Sequence, residues 1–257
     1  DEARAAGIDV TMAQYPYTAG STFLHVVIPP WYHSRGVDGL LRALREERGA
    51  IKHDLDTRMD WENFSQSVGW EKIFVSSVVS EANQPCVGKS ISQIAAERGH
   101  ADPADAAFDL LVEEQLAVGM ISFGLDEADI TAIMRHPAVS FITDGLMSGR
   151  PHPRAYATYP RILGRYVREQ GVLSLEEAVR KMTSLPARKI RLRNKGVIAE
   201  GYDADLVVFD PDTVIDKNSY DDPRVHPAGI AHVLVNGVFV VEDAALTGAR
   251  PGRVIRD

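Results

Sequence analysis

Val139-Ser-Phe-Ile-Thr143 is a short apolar run that ends in an acidic turn, Asp144-Gly145. An apolar run of this length predicts a buried strand rather than a helix. Helical patterns lie on both sides of it, over residues 126–134 and 156–169. A strand between two helices is the repeating unit of an α/β fold with a parallel sheet.

The same alternation of strands and helices extends toward the N-terminus. Residues 8–12 alternate between apolar and polar, and residues 72–79 are rich in β-branched side chains. Residues 119–123 form another short apolar run, and helical patterns dominate residues 90–118. The part of the chain before residue 196 therefore predicts three or four strands of one parallel sheet.

Two segments interrupt this pattern. Residues 14–22 carry Pro16 and Gly20, which predicts a loop. Residues 30–72 are polar, contain all three Trp and hold one predicted helix, over residues 37–48. We predict that this second segment is an insertion into the main fold.

After about Lys195 the pattern changes to short β-type runs separated by turns. Asn236-Gly237 lies between two such runs, and Asn-Gly in that setting is the strongest short signal for a hairpin. We therefore predict an α/β body over residues 1–195 and a β-rich unit over residues 196–257. The predicted strands of that unit are residues 196–198, 204–209, 232–235 and 238–241.

The length limits how much of a barrel this body can form. A complete (β/α)8 barrel takes roughly 250 residues, whereas about 195 residues precede the β-rich unit. The α/β body is therefore predicted to be a partial barrel. The chain opens with a helical pattern that runs into Gly7 and has no initial Met, so we expect further sequence upstream.

Composition excludes several classes of partner. Lys and Arg total 28 against 36 Asp and Glu, for a net charge of −8, which disfavours nucleic acid and anionic membranes as partners. No apolar run approaches the roughly 18 residues that span a bilayer. Cys86 is the single cysteine, so an internal disulfide is impossible. With no sign of secretion, we expect a cytoplasmic protein.

Three stretches carry a family resemblance. The first reads Asp9-Val-Thr-Met-Ala-Gln-Tyr-Pro-Tyr-Thr-Ala-Gly-Ser-Thr22. The second comprises Asp144-Gly145, Gly149-Arg-Pro-His-Pro-Arg-Ala-Tyr156 and the helical pattern that follows. The third is Gly201-Tyr-Asp-Ala-Asp-Leu-Val-Val-Phe-Asp210. Together they resemble the C-terminal half of the D-aminoacylases (N-acyl-D-amino-acid deacylases) of the amidohydrolase superfamily.

The resemblance implies a fold and a reaction. The fold is a metal-dependent (β/α)8 barrel, of which this chain would hold only the later strands, followed by a portion of a small β-sandwich. The reaction is hydrolysis of the amide bond of an N-acyl-D-amino acid, which gives a D-amino acid and a carboxylate. The implied partner is this small-molecule substrate, and the implied cofactor is zinc.

The resemblance also assigns roles to four residues. Asp144 matches the general base beside the metal and is a possible metal ligand. Arg154 matches an arginine that pairs with the substrate carboxylate, and Tyr15 and Ser21 match residues that help to hold the same group. A planar guanidinium grips a carboxylate with two parallel bonds, and phenol and hydroxyl groups can donate to it.

Each of these residues also has an ordinary structural interpretation. Asp144 could simply be a turn residue, since Asp-Gly is a common turn pair. Arg154 could be a surface arginine in a Pro-rich loop. Tyr15 could be a half-buried aromatic residue, and Ser21 a cap or turn residue.

The metal ligands implied by the resemblance do not appear in this sequence. The eight His form neither a His-x-His pair nor a His-Glu-x-x-His motif, and a catalytic zinc needs three protein ligands and a water. His152 is predicted to pack in a loop, or to support the site, and His136 to end a helix. Cys86 does not match the family's metal-binding cysteine. Zinc is therefore expected for the complete enzyme and not necessarily for this chain.

Two main hypotheses follow from the sequence, and the segment Pro151-His-Pro-Arg154 argues against a third, an amidohydrolase of different specificity such as one for a cyclic amide. In the first, the chain is part of a deacylase and inactive by itself, and it forms a homo-oligomer or pairs with a chain that supplies the missing half. In the second, it is a non-catalytic carboxylate-binding remnant, or a subunit of a split amidohydrolase. Asp144 favours the first, because a carboxylate would repel the anionic ligand of a pure binding protein.

Overall fold

The computed structural model describes residues 1–255, and these form an α/β structure. The strands are Met12–Gln14 (β1), Gly20–Phe23 (β2), Ile73–Ser77 (β3), Gly119–Ser122 (β4), Val139–Phe141 (β5), Leu206–Phe209 (β6), Ile230–Val235 (β7), Val238–Glu242 (β8) and Ala245–Leu246 (β9). No helix in this part of the chain is long and apolar enough to cross a membrane.

The α-helices are short, and most lie between strands. They are Glu2–Ala5 (α1), Pro30–His33 (α2), Gly36–Glu46 (α3), Arg48–Thr57 (α4), Phe64–Ser67 (α5), Ile91–Arg98 (α6), Pro103–Glu113 (α7), Glu127–Arg135 (α8), Arg154–Arg161 (α9), Leu175–Met182 (α10) and Ser184–Lys189 (α11). Short 3-10 helices span Leu24–Val27, Trp70–Lys72 and Glu81–Cys86, and a π-helical stretch, Ile162–Glu169, continues α9.

The chain divides into two compact units. The first unit comprises Asp1–Pro16, Ala128–Asp144 and Pro153–Asp257, and the second comprises Tyr17–Glu127 and Gly145–His152. Residues 30–72, the predicted insertion, belong to the second unit. The predicted boundary near residue 195 and the predicted insertion stay predictions.

In the first unit, β1 and β5 pair in parallel, with Met12 opposite Val139 and Gln14 opposite Phe141. Val139, Phe141, Ile162 and Tyr166 are buried together in one apolar core with residues of α8 and α10. Lys181 of α10 is fully buried, and its ammonium donates to the carbonyl oxygens of Met134 and His136. These bonds satisfy carbonyl groups at the end of α8 that have no partner within the helix.

The second unit contains a three-stranded antiparallel sheet in the order β2-β4-β3. The central strand, β4, is buried at all four residues. The core of the second unit draws mainly on α3, α6 and α7, and Leu44 and Phe108 are among its fully buried side chains. This pairing differs from the parallel sheet predicted for residues 72–79 and 119–123.

Three local predictions were wrong. The strand predicted over residues 8–12 lies instead at Met12–Gln14, where it pairs with Val139–Phe141. Residues 20–22, predicted as part of a loop, belong to β2, because Gly20–Phe23 pairs with Gly119–Ser122 far along the chain. Residues 196–198, predicted as a strand, have no partner strand among the described residues and form a bend. In each case, long-range pairing rather than local preference determined the structure.

The C-terminal part of the first unit is an antiparallel sheet in the order β6-β7-β8-β9. The predicted hairpin at Asn236-Gly237 is confirmed, with Val235 opposite Val238. Asn236 and Gly237 have φ values of 50° and 77°. Positive φ at both central residues is the requirement of a type I′ turn, whose twist matches that of the flanking strands.

Candidate active site

The parallel pair β1 and β5 determines where the candidate site lies. Tyr15 directly follows β1, and Asp144 comes three residues after the end of β5. Since the carboxyl ends of parallel strands meet at one edge of a sheet, both residues are carried to that edge. Catalytic side chains of α/β folds collect at this edge.

Arg154 joins these two residues. It is the first residue of α9 and its side chain is 1% exposed. Nη2 lies 2.7 Å from Oδ2 of Asp144, and the guanidinium carbon lies 4.4 Å from the centre of the Tyr15 ring. The arginine therefore makes a charge-assisted hydrogen bond to the carboxylate and a cation–π contact with the phenol ring.

Asp144 has an unusual backbone conformation. Its φ is +46°, in the left-handed region that few residues other than glycine adopt, although Asp is among those that tolerate it. Its side chain is 57% exposed, in contrast to that of its partner Arg154. An exposed acid beside a buried cation is accessible to a small molecule while its charge is balanced by the protein.

Ser21 belongs to a different part of the structure. It lies on β2 opposite Ile121, in the second unit, whereas Tyr15, Asp144 and Arg154 belong to the first. Its predicted contact with the substrate carboxylate stays a prediction.

Two histidines and the cysteine make other contacts. His152 is buried in the second unit, where its Nε2 lies 3.0 Å from the carbonyl oxygen of Ala19 and its ring meets that of Tyr17 edge-on. His136 follows α8, and its Nε2 lies 2.8 Å from Oδ1 of Asp1. Cys86 is a buried free thiol at the end of a 3-10 helix.

The sequence did not reveal one pair of residues near the site. Arg161, at the end of α9, donates through Nε to the carbonyl oxygen of Pro16 and through Nη1 to the carboxylate of Asp216. Pro16 is the neighbour of Tyr15. Arg161 lies in the helical pattern predicted over residues 156–169, but nothing in the local sequence links it to residue 16 or residue 216.

The described residues do not offer enough side-chain ligands for a zinc ion. Within residues 1–255, no group of three or more His, Cys, Asp or Glu side chains is arranged to hold a metal ion. A catalytic zinc needs three protein ligands and an open position for water. Asp144 could supply one ligand at most, so the described residues do not fit a zinc site by themselves.

Comparison with known proteins identifies the class. The amidohydrolase family model (Amidohydro_3) matches residues 84–241, and the chain belongs to this family. It is 38% identical over 257 residues to an N-acyl-D-glutamate deacylase of Alcaligenes xylosoxydans xylosoxydans, covering all of this chain and 43% of that protein. It is 36% identical over 255 residues to a D-aminoacylase of the same organism, covering 99% of this chain and 43% of that protein.

A solved structure supports the same family assignment. The N-acyl-D-glutamate deacylase of Bordetella bronchiseptica, complexed with zinc and a phosphonate inhibitor, is 34% identical with a TM-score of 0.75. The match covers all of this chain and 44% of that protein. The predicted likeness to the C-terminal half of a D-aminoacylase is confirmed, as are the α/β class and the zinc of the complete relatives. The chain spans less than half the length of these relatives.

Proposed function

We propose that this chain is the part of an N-acyl-D-amino-acid deacylase that binds the substrate carboxylate and supplies the catalytic acid–base group. The observation that supports this most directly is the cluster of Tyr15, Asp144 and Arg154 at the carboxyl ends of β1 and β5. The relatives that cover the whole chain bear the names N-acyl-D-glutamate deacylase and D-aminoacylase.

Arg154 is the proposed anchor for the carboxylate of the substrate. Its buried position at the start of α9 fixes the guanidinium, and a fixed planar fork loses little entropy when it binds a carboxylate. Tyr15 covers one face of that guanidinium. The cluster therefore offers a rigid positive group beside an aromatic ring, which suits the carboxylate of an amino acid.

Asp144 is the proposed acid–base group. Water adds to the carbonyl carbon of the amide while the Asp144 carboxylate accepts a proton from that water. The same proton then passes to the amide nitrogen as the C–N bond breaks, so that a carboxylic acid and a free amine are formed. The carboxylic acid loses its proton to the solvent and leaves as a carboxylate. The ion pair with Arg154 holds this carboxylate 2.7 Å from the group that binds the substrate.

Zinc, when bound, would polarise the amide carbonyl and lower the pKa of a bound water. Because the described residues do not supply three ligands, we propose that the remaining ligands come from the part of the longer protein that this chain does not span. That part would be on the same polypeptide, on a homo-oligomeric partner or on a separate chain.

The finer features of the fold belong to the same proposal. Residues 1–195 would form a partial (β/α)8 barrel with an insertion near 30–72, and residues 196–257 a portion of a β-sandwich. The antiparallel sheet β6 to β9 supports the second assignment, and the parallel pair β1 and β5 supports the first. A cytoplasmic location stays a prediction from the sequence.

Binding of an enantiomeric pair tests the carboxylate pocket. Calorimetry with the 257-residue chain is expected to show binding of N-acetyl-D-glutamate and weaker binding of N-acetyl-L-glutamate. Arg154→Met should weaken binding of the D-ligand by roughly 10- to 100-fold, since hydrogen bonds to charged groups contribute about 1.5–3 kcal/mol. Asp144→Asn should preserve binding. Equal affinity of wild type and the Arg154→Met variant would rule out this pocket.

A second candidate function has one observation in its favour. The described residues lack a three-ligand metal cluster, which suits a carboxylate-binding remnant or one subunit of a split enzyme. Hydrolysis of N-acetyl-D-glutamate, assayed with zinc and with a second polypeptide covering the rest of the relatives' length, separates the two. Amine release that disappears in Asp144→Asn supports the deacylase, and binding without release supports the remnant.

A further inference from the structure

The carbonyl oxygen of Pro16 is held by a charged side chain. Nε of Arg161 donates to it over 2.8 Å, and the Tyr166 hydroxyl lies 3.4 Å from the same oxygen. Nη1 of Arg161 lies 2.8 Å from Oδ2 of Asp216, and both side chains of this ion pair are largely buried. The Arg161 guanidinium therefore connects the backbone beside Tyr15 to Asp216, which lies 55 residues after Arg161.

The same helix contacts this backbone segment twice. Arg154 and Arg161 are the first and last residues of α9, and the helix is kinked between them at Ala157, whose φ is −138°. Arg154 meets the ring of Tyr15, while Arg161 holds the carbonyl oxygen of the next residue. The helix thus fixes both the side chain and the main chain at the end of β1.

The position of Asp216 is fixed by close packing. A Cβ at Gly164, in the π-helical stretch, would stand 2.6 Å from the carbonyl oxygen of Val214 and would overlap the Ile215 side chain. The absence of that Cβ allows residues 214–215 to approach the helical stretch directly. Asp216 is the next residue, and its carboxylate therefore lies within hydrogen-bond distance of Arg161.

We propose that Arg161 and Asp216 are positioning residues for the carboxylate pocket: Asp216 orients Arg161, and Arg161 fixes the Pro16 carbonyl and with it the phenol of Tyr15. This inference rests on the proposed function. A displacement of about 1 Å in a binding group can cost up to 100-fold in activity.

The test compares two arginines that hold the same segment. Arg161 holds this segment through Asp216, and Arg168 holds it by donating to the carbonyl oxygens of Val214 and Pro211. The hydrogen bonds of Arg168 to described residues do not include Pro16. Arg161→Met should weaken the binding of N-acetyl-D-glutamate by about tenfold. The matched control Arg168→Met should cost similar stability in urea unfolding and change affinity less than about twofold.

A double-mutant cycle distinguishes positioning from general loosening of the fold. If Arg161 acts through Tyr15, the effects of Tyr15→Phe and Arg161→Met on affinity are not additive, and the double variant binds about as weakly as the weaker single one. Asp216→Asn combined with Arg161→Met should behave in the same way. Additive losses, or equal losses in Arg161→Met and Arg168→Met, would overturn the inference and leave the pocket in place.

A measurement without ligand keeps the inference independent of the proposed function. The eight tyrosines can be labelled as 3-fluorotyrosine, and the Tyr15 fluorine resonance is assigned by its loss in Tyr15→Phe. Arg161→Met should shift or broaden that resonance, whereas Arg168→Met should leave it in place. A shift in a chain that binds no N-acetyl-D-glutamate refutes the proposed function and supports the positioning, and an unchanged resonance refutes the positioning.

Discussion

The second unit and the C-terminal sheet bury their apolar residues to very different degrees. In the second unit, β4 is buried at every residue, and the helices around it contribute fully buried side chains such as Leu44 and Phe108. In the sheet β6 to β9, every residue of the four strands is at least partly exposed. Val207 and Val208 are 55% and 49% exposed, although successive residues of a strand point to opposite faces.

This difference shows that the two regions depend on different sources of stability. The second unit completes a core from its own residues, whereas the sheet presents apolar side chains on both faces. At one end of the sheet, Phe209 and Ile230 pack against the core of the first unit. A sheet of this kind gains most from a covering layer, which agrees with the proposed β-sandwich portion.

The largest expected effect comes from a cavity in the second unit. Phe108 of α7 is fully buried in the core, so Phe108→Ala should lower the free energy of unfolding by about 4 kcal/mol. The matched change in the sheet, Val207→Ala, should cost less than about 1 kcal/mol. Urea unfolding followed by circular dichroism measures both. Similar losses in the two variants would mean that the exposure of the sheet does not determine how much its side chains contribute to the free energy of unfolding.

A buried carboxylate gives the second unit a dependence on pH. Glu114, 4% exposed, accepts from the backbone N–H groups of Val79 and Ser80, from the Ser80 hydroxyl and from the Asn83 amide. Burial by itself would raise the pKa of Glu114, but these hydrogen bonds outweigh it and lower the pKa to about 2. Relative to the ordinary value of 4.5, this lowering corresponds to about 3 kcal/mol of stability.

The sign of that dependence follows from the lowered pKa. The stabilisation is fully present above pH 4.5 and is lost as the pH falls toward about 2, because protonation then removes the acceptor. Glu114→Gln should lose about 2 kcal/mol at pH 7 and show a flatter stability profile in acid. Urea unfolding between pH 2 and pH 7 measures this. The control Glu113→Gln, whose ion pair with Arg98 is partly exposed, should change stability by less than about 1 kcal/mol.

The sequence predicted those features that arise from local patterns. The structure confirms a strand within residues 139–143, at Val139–Phe141, and also the helices on its two sides and the Asn236-Gly237 hairpin. All of these depend on neighbouring residues. Strand β2 was missed because residues 20–23 become a strand only by pairing with residues about 100 positions away.

The candidate site was predicted through resemblance rather than through spacing. Tyr15 lies in the first stretch, Asp144 and Arg154 lie in the second, and the parallel pairing of β1 with β5 carries Tyr15 and Asp144 to one edge of the sheet. The direct bond between Asp144 and Arg154 could not be read from the sequence, nor could the contact of Arg161 with Asp216. Each depends on side chains that local patterns do not relate to one another.

The smallest expected effect on stability is on the exposed sheet itself. Val207 lies in β6, with half of its surface exposed, so Val207→Lys should change the free energy of unfolding by less than about 1 kcal/mol. We expect it to reduce self-association, because a charge in the middle of an apolar face opposes contact with another layer. Analytical ultracentrifugation over a range of concentrations measures this. Val207→Thr keeps the branched shape and adds no charge, so it should associate more strongly than the lysine variant. Equal association of wild type and both variants would mean that this face of the sheet takes no part in assembly. The greater exposure of the sheet, compared with the self-contained second unit, would then have no effect on self-association.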